Sequence, residues 1–365
     1  MDSETRYLIA LTKVSGVGAI TAKLLTAYCG STEAVFKESP KALKAIPGIG
    51  DVVIRGLSEA EPEALFETEY HFIHEHDIQV IPYWEEQYPF RLKPLADSPL
   101  LLFSKGNPEL NQRRILSVVG TRKCTHYGRR MTESIIKGLK SYDVMIVSGL
   151  AYGIDAEAHQ AALASDMSTV AVVAHGLDTL YPAIHRKMAE KISEQGGVIT
   201  EFPSGVLPQK ERFPMRNRII AGLCDVLLVV ETAKSGGSMI SVQYATDYDR
   251  QVVALPGRVE DPMSAGTNYL IAKEIAQLIR SSEDIARAMH WPSQKKGTGT
   301  QIELFPQLSM DEKEVYDIMT RGEEIPMEQL LEQSTFSLGK LASVLLQLEM
   351  KGVIGSCPGT RYVKY

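Results

Sequence analysis

Lys210, Arg212, Arg216 and Arg218 surround Phe213 in one short segment, with Asn217 among them. Cations attract phosphate, and an exposed ring offers a surface on which an unpaired base stacks, worth roughly 1 to 3 kcal/mol. That combination suits a single strand. A ring at this position could equally fill the core beneath the loop, and the sequence leaves both readings of Phe213 open.

Three more segments belong with this one: Val-Val-Gly-Thr-Arg at 118–122, Ser-Gly-Leu-Ala-Tyr-Gly-Ile-Asp at 148–155 and Gly-Leu-Asp-Thr-Leu-Tyr-Pro at 176–182. Each follows a short apolar run and precedes a helical pattern, which places all of them at one edge of a parallel sheet, where α/β folds bind ligands. Small residues at helix starts, Thr121, Ser148 and Ser238, offer amides and hydroxyls to phosphate oxygens. Arg122 adds a forked donor. A polyanion is the guest that these loops fit.

Other chemistries fit less well. Gly120-Thr121-Arg122 is not G-x-G-x-x-G, and Ser148-Gly149 stands where a ribose-binding acid belongs, so no dinucleotide cofactor is expected. Cys29, Cys124, Cys224 and Cys357 form no C-x-x-C pair, which suits a reducing compartment and argues against a zinc site. His159, His175 and His185 show neither ligand nor triad spacing. The expectation is a protein with no metal and no catalytic constellation.

At 365 residues and 44% hydrophobic the chain can build more than one core. Its start lacks a signal-peptide pattern and no apolar run approaches the roughly 20 residues that cross a bilayer, so a soluble cytoplasmic protein without membrane contact is expected. The net charge of -6 hides a division along the chain. Residues 1–86 carry 7 Lys and Arg against 14 Asp and Glu, residues 87–300 carry 26 against 21, and residues 301–365 carry 6 against 10. Between Arg113 and Arg130 there are six cations and no acid. Any phosphate-binding face therefore belongs to the middle of the chain.

Residues 1–80 have helical periodicity and two related pieces, Val-Ser-Gly-Val-Gly at 14–18 and Ile-Pro-Gly-Ile-Gly at 46–50. They resemble helix-hairpin-helix or SAM-like motifs, whose glycines let the backbone turn tightly and aim amides at a phosphate. Contact with DNA and a packing or protein-contact role both remain open for this acidic module. Residues 81–290 read as a Rossmann-like, doubly wound α/β domain. Strands are expected at 115–119, 144–147, 169–174, 198–202, 225–231 and 251–255, with helices at about 127–141, 155–165, 183–195, 215–223, 238–249 and 267–280. Residues 291–304 have linker composition. Residues 305–365 follow the order of a winged helix, with helices at about 309–321, 326–333 and 337–351. Its third helix offers Lys340 and Lys351 among Leu, Val and Met, too few cations for groove entry, so a protein contact is expected there and little DNA affinity.

Gly-Thr-Arg, Ser-Gly-Leu-Ala-x-Gly-Ile-Asp, Gly-Leu-Asp-x-x-Tyr-Pro, Phe-Pro-x-Arg-Asn-Arg-Ile-Ile-Ala-Gly-Leu and Leu-Pro-Gly, in this order, resemble the DprA/Smf family of DNA-processing proteins. The resemblance covers about residues 80–285. It implies single-stranded DNA binding, a homodimer built through the Rossmann-like domain, and loading of the RecA recombinase during natural transformation, with single-strand-binding protein as a further candidate partner. It carries the family's pocket arginine onto Arg122, its Lys-x-x-Phe onto Lys210 and Phe213, and its Arg-Asn-Arg onto Arg216, Asn217 and Arg218. Gly120, Thr121, Ser148, Gly149, Arg186, Gly236, Gly237 and Ser238 complete the expected DNA-binding set. Thr121 replaces a common Ser, and Ser235-Gly236-Gly237-Ser238 has one Gly more than the common Ser-Gly-Ser. For the homodimer, Leu270, Ile271, Ile275, Leu278 and Ile279 give the expected helix at 267–280 more apolar surface than one sheet face requires.

The rival reading is an enzyme on a related scaffold, a nucleoside-monophosphate phosphoribohydrolase of the lysine-decarboxylase-like group. That group uses Pro-Gly-Gly-x-Gly-Thr-x-x-Glu. Laid on Gly236-Gly237, the register puts Met239-Ile240 where Gly-Thr belongs and Gln243 where the Glu belongs. An amide cannot act as the carboxylate acid or base, so a binding protein is expected and not an enzyme.

Overall fold

In the computed structural model of the chain, which describes residues 1–292, 308–320, 324–351, 353–357 and 360–364, two tight turns order the N-terminal helices. Gly16 and Gly48 take φ of 80° and 86°, a left-handed conformation that favours glycine. The helices are α1 (Ser3–Thr12), α2 (Ala19–Cys29), α3 (Thr32–Lys37), α4 (Pro40–Ala45), α5 (Asp51–Glu59) and α6 (Pro62–Glu75). Asp2, Ser31 and Ser39 cap three of them by accepting an amide hydrogen bond three residues on. Leu8, Leu11, Leu25 and Phe66 of this bundle pack against Leu101 and Phe103 of the sheet that follows. The boundary expected at residue 80 falls inside the first strand, β1 (Ile78–Pro82). The chain divides by contact into two compact units, Met1–Gln294 and Lys295–Tyr365.

β1 pairs antiparallel with β2 (Leu101–Gly106), and β2 pairs antiparallel with β6. The chain then alternates: β3 (Ile115–Val119), α7 (His126–Leu139), β4 (Met145–Ser148), α8 (Ile154–Ala164), β5 (Thr169–Val172), α9 (Arg186–Gln195), β6 (Gly197–Thr200), α10 (Arg212–Leu223), β7 (Val226–Val229), α11 (Ser238–Asp247) and β8 (Gln251–Ala254). After α12 (Ala265–Ala272) come β9 (Gln277–Leu278) and α13 (Ser282–Ala288). The sheet order is β1-β2-β6-β5-β4-β3-β7-β8-β9, parallel from β6 to β9. Alternation sends Ile115 and Val119 to one core layer and Leu116 and Val118 to the other, so both faces of β3 are buried under helices. This is the expected doubly wound α/β sheet, extended by β1 and β2.

The expected helix at 267–280 is corrected. It stops at Ala272, because Glu274 takes a left-handed φ of 57° that no helix continues through, and Gln277–Leu278 joins the sheet edge.

The second unit has α14 (Met310–Ile318), β10 (Glu324–Pro326), α15 (Met327–Gln333), α16 (Leu338–Met350), β11 (Ile354–Cys357) and β12 (Arg361–Lys364), with sheet order β10-β12-β11. This is the winged-helix order. Ser309 and Glu312 form a reciprocal capping box at α14. Val315, Leu330, Leu341, Leu345 and Leu348 make the core. Lys340 pairs with Asp311 at 2.9 Å, which ties up a cation of α16. Most of the expected linker, from residue 293 on, lies outside the described residues. Among the described residues no helix is long and apolar enough to cross a membrane.

Candidate nucleic-acid interface

The chain winds outward from β3 through β4, β5 and β6, then returns to β7 on the other side of β3. Beyond the carboxyl ends of β3 and β7, at this switch point, lies a cavity of about 380 Å3. Its first wall is Gly120-Thr121-Arg122. Gly120 has to lack a side chain, since a Cβ there would come within 2.5 Å of Ile154. The Thr121 amide donates to Glu231 O at 2.7 Å, and Thr121 O accepts from the Ile154 amide at 3.2 Å. Gly153, at φ 75°, presses so closely on Thr121 that a Cβ would lie 2.3 Å from its carbonyl. The loop is thus pinned from both sides, with Arg122 exposed at its tip.

Glu231 also organises the start of α7. Its buried carboxylate accepts from the amide and hydroxyl of Thr125, the N-cap of that helix, and occupies the space a side chain at Gly128 would need. The second wall is Thr232, Ala233 and Gly236 to Ser238. Gly237 is the N-cap of α11 and supplies no side-chain cap, so the N-terminus of that helix, with its partial positive charge, borders the cavity, whereas at α8 the Ile154 amide is taken by Thr121 O.

The third wall is Lys210, Phe213 and Asn217. Phe213 is half-buried and belongs to none of the hydrophobic core clusters. The Arg122 guanidinium lies 5.1 Å from its ring centroid, within cation–π range, and Tyr181 packs on it at 5.9 Å. Arg216 lies deeper, donating to the carbonyls of Gly149 and Val172. Burial pulls its pKa down to about 10, opposed by Asp155, so it stays charged at neutral pH. Burial likewise raises the pKa of Asp155, opposed by Arg216. Gly149 makes room for this pair, since a Cβ there would lie 2.6 Å from Asp155 and 2.7 Å from Arg216.

Of the expected residues, Gly120, Thr121, Arg122, Lys210, Phe213, Arg216, Asn217, Gly236, Gly237 and Ser238 line this one cavity. Four do not. Arg218 is buried against Glu201 and Asp97 O, because residues two apart on a helix point to different sides and α10 sends Arg216 and Arg218 apart. Ser148 is buried, its hydroxyl donating to Val118 O at 2.7 Å. Gly149 serves beneath the cavity, and Arg186 lines a neighbouring cleft with Lys105, His175 and Asp178. Asp155 was missed, although it stands in the quoted loop and in the first turn of α8, where an acid favours the helix dipole.

Two of the three sheet-domain histidines are buried beside the cavity loops. His159 Nδ1 bonds Thr169 Oγ1 at 2.8 Å, and burial holds its pKa at about 3. His175 donates from Nδ1 to Gly176 O and accepts the Tyr181 amide at Nε2. Gln243 is exposed on α11 and bonds Asp247 at 2.8 Å. Among the described residues no group of three or more His, Cys, Asp or Glu could hold a metal ion.

Residues 79–290 match the family model for DNA recombination-mediator protein A, and residues 305–360 match that for the DprA winged helix domain. The DNA processing protein DprA of Streptococcus pneumoniae is 41% identical over 201 residues, which span 55% of this chain and 71% of that protein. The X-ray structure of the Streptococcus pneumoniae DprA superposes with a TM-score of 0.68 at 34% identity, over 77% of this chain and 97% of the other. The DNA processing protein A of Helicobacter pylori, solved for its single-stranded DNA binding mode, gives a TM-score of 0.53 at 28% identity, over 58% of this chain and 95% of the other.

Proposed function

The chain belongs to the DprA/Smf family, and from that premise we propose that it binds single-stranded DNA at the switch-point cavity and loads the RecA recombinase on that strand during natural transformation. A DNA-processing role follows from the family itself. The observation that carries the finer reading is the exposed Arg122 set over the half-buried Phe213, beside Lys210 and the N-terminus of α11. Cation, ring and amides together meet the phosphate and the face of an unpaired base. The single-strand binding of the Helicobacter pylori relative supports the same ligand here.

In this reading the protein is a cytoplasmic binding protein and not an enzyme, and it works as a homodimer. Single-strand-binding protein is a second partner, met where it coats the incoming strand. The apolar edge beside β9 supports the dimer. Lys340, engaged by Asp311, supports a minor share for the winged helix in DNA affinity.

Titration of the protein with labelled single- and double-stranded oligonucleotides of one sequence, alongside an assay for nucleotide hydrolysis, tests the reading. Tighter single-strand binding without hydrolysis is expected. Preference for duplex, or turnover of a nucleoside monophosphate, would overturn it.

A further inference from the structure

Two pairs of rings stand beside the cavity, and three of their four members lie outside its wall. Tyr181 packs on Phe213. His185 follows Tyr181 four residues later in the chain, and Tyr152 meets it edge-on at 5.4 Å between centroids. Tyr152 directly follows Ala151, which lines the cavity. Tyr181 thus adjoins the cavity wall through Phe213, and Tyr152 adjoins it through Ala151.

Hydrogen bonds fix the His185 ring and the backbone that carries Tyr181. His185 Nδ1 donates to Leu150 O at 2.9 Å, and the Tyr181 amide donates to His175 Nε2 at 3.2 Å. Tyr152 and Tyr181 nonetheless expose 45% and 42% of their surface, and Ile184, at the tip of the turn between Tyr181 and His185, exposes 76%. Rings fixed in position yet left in water offer faces that a partner can cover. Immediately beyond the turn, Arg186 and Lys187 open α9, both exposed.

We infer that Tyr152, Tyr181 and His185 are further base-stacking platforms, for the nucleotides of a single strand that leave the cavity past Phe213. The inference rests on the proposed single-strand reading of the cavity and extends it. Three observations favour nucleobases over a protein partner: the rings adjoin a cavity wall whose own ring already carries a cation, they are followed by two more cations, and stacking asks only for a π-face. A duplex keeps its base faces stacked inside, so these rings also add to discrimination against it.

The test uses the full chain and fluorescence anisotropy with thymidine oligonucleotides of about five and about twenty nucleotides, lengths below and above the span of a typical single-strand site. Tyr152→Leu should weaken binding of the long strand about fivefold or more and leave the short one unchanged, while Tyr152→Phe should match the parent on both. Equal affinity of Tyr152→Leu and the parent for the long strand overturns the inference, as a protein-docking surface would give. So does an equal loss on both lengths. Arg122→Ala separates the two readings. If it binds both strands as tightly as the parent, the cavity reading itself falls, whatever Tyr152 does.

Discussion

Both carboxylate oxygens of Glu69 bond to one residue, Ser204: Oε1 accepts from its amide at 2.8 Å and Oε2 from its hydroxyl at 2.7 Å. Glu69 is buried on α6 and also pairs with Lys13 at 2.8 Å. Ser204 opens the segment that leads to Lys210 and Phe213, and Asp178 holds the next residue by accepting from the Gly205 amide at 3.0 Å. The helical bundle thus fixes one end of a cavity wall. Glu69→Ala should cost about 3 kcal/mol, because it strands a half-buried ammonium and an amide without their acceptor. Urea unfolding of the full chain measures this, and a loss below about 1 kcal/mol would show that the bridge does not hold the bundle to the loop.

Phe213 separates binding from stability. With the ring in a cavity wall and not in a core cluster, Phe213→Ala should lose roughly 1 to 3 kcal/mol of single-strand affinity and leave the melting temperature nearly unchanged. A core ring would instead cost about 3 to 5 kcal/mol of stability. Melting curves and anisotropy on the same preparation distinguish the two.

The buried His159 makes stability depend on pH. Its pKa is about 3 in the folded chain against 6.5 ordinarily, so between those values the unfolded chain binds a proton that the folded chain refuses. The stability from the neutral ring is complete above pH 6.5 and is lost as the pH falls from there toward 3. From pH 7 to pH 5 this histidine alone should remove about 2 kcal/mol. Buried Asp155 and Glu201, whose pKa values are raised by burial, act in the opposite direction, so the comparison is between the parent and His159→Gln. The variant's stability should fall less steeply with acidification. Parallel slopes would remove His159 as the cause.

How much was legible in the sequence depends on the kind of contact. The central strands were visible because burial on both faces leaves near-continuous apolar runs, as at Ile115–Val119, and the cavity loops because glycine and cations mark strand ends. β1 and β2 were not read, because the segment between them, with Pro89, Pro94 and Pro99, reads as a long loop and not as a hairpin that would pair its two ends. The partition of Arg216 from Arg218 was already implied by the expected helix at 215–223, where residues two apart face different sides, but which of the two meets the cavity depends on how α10 packs on the sheet. The break at Glu274 had no local signal, since a left-handed Glu is held by surrounding structure and not by its own preference.

That break also reshapes the dimer proposal. Leu270 and Ile279 are buried within the protomer, while Ile275 and Leu278 expose 41% and 42% of their surface beside the two-residue edge strand β9. An apolar sheet edge invites pairing with a second copy. Light scattering at micromolar concentration should give a dimer for the parent and a monomer for Leu278→Arg. A monomeric parent would reject this edge as an interface.

The central claim is most directly tested by the salt dependence of single-strand affinity for the parent and Arg122→Ala. The parent's affinity should fall linearly on logarithmic axes as salt rises, and the variant should bind every sequence more weakly, with a slope shallower by about 0.7 for the one phosphate contact removed. Equal affinities and superimposable slopes would contradict the account, because the cation that sits over Phe213 would then not be touching DNA.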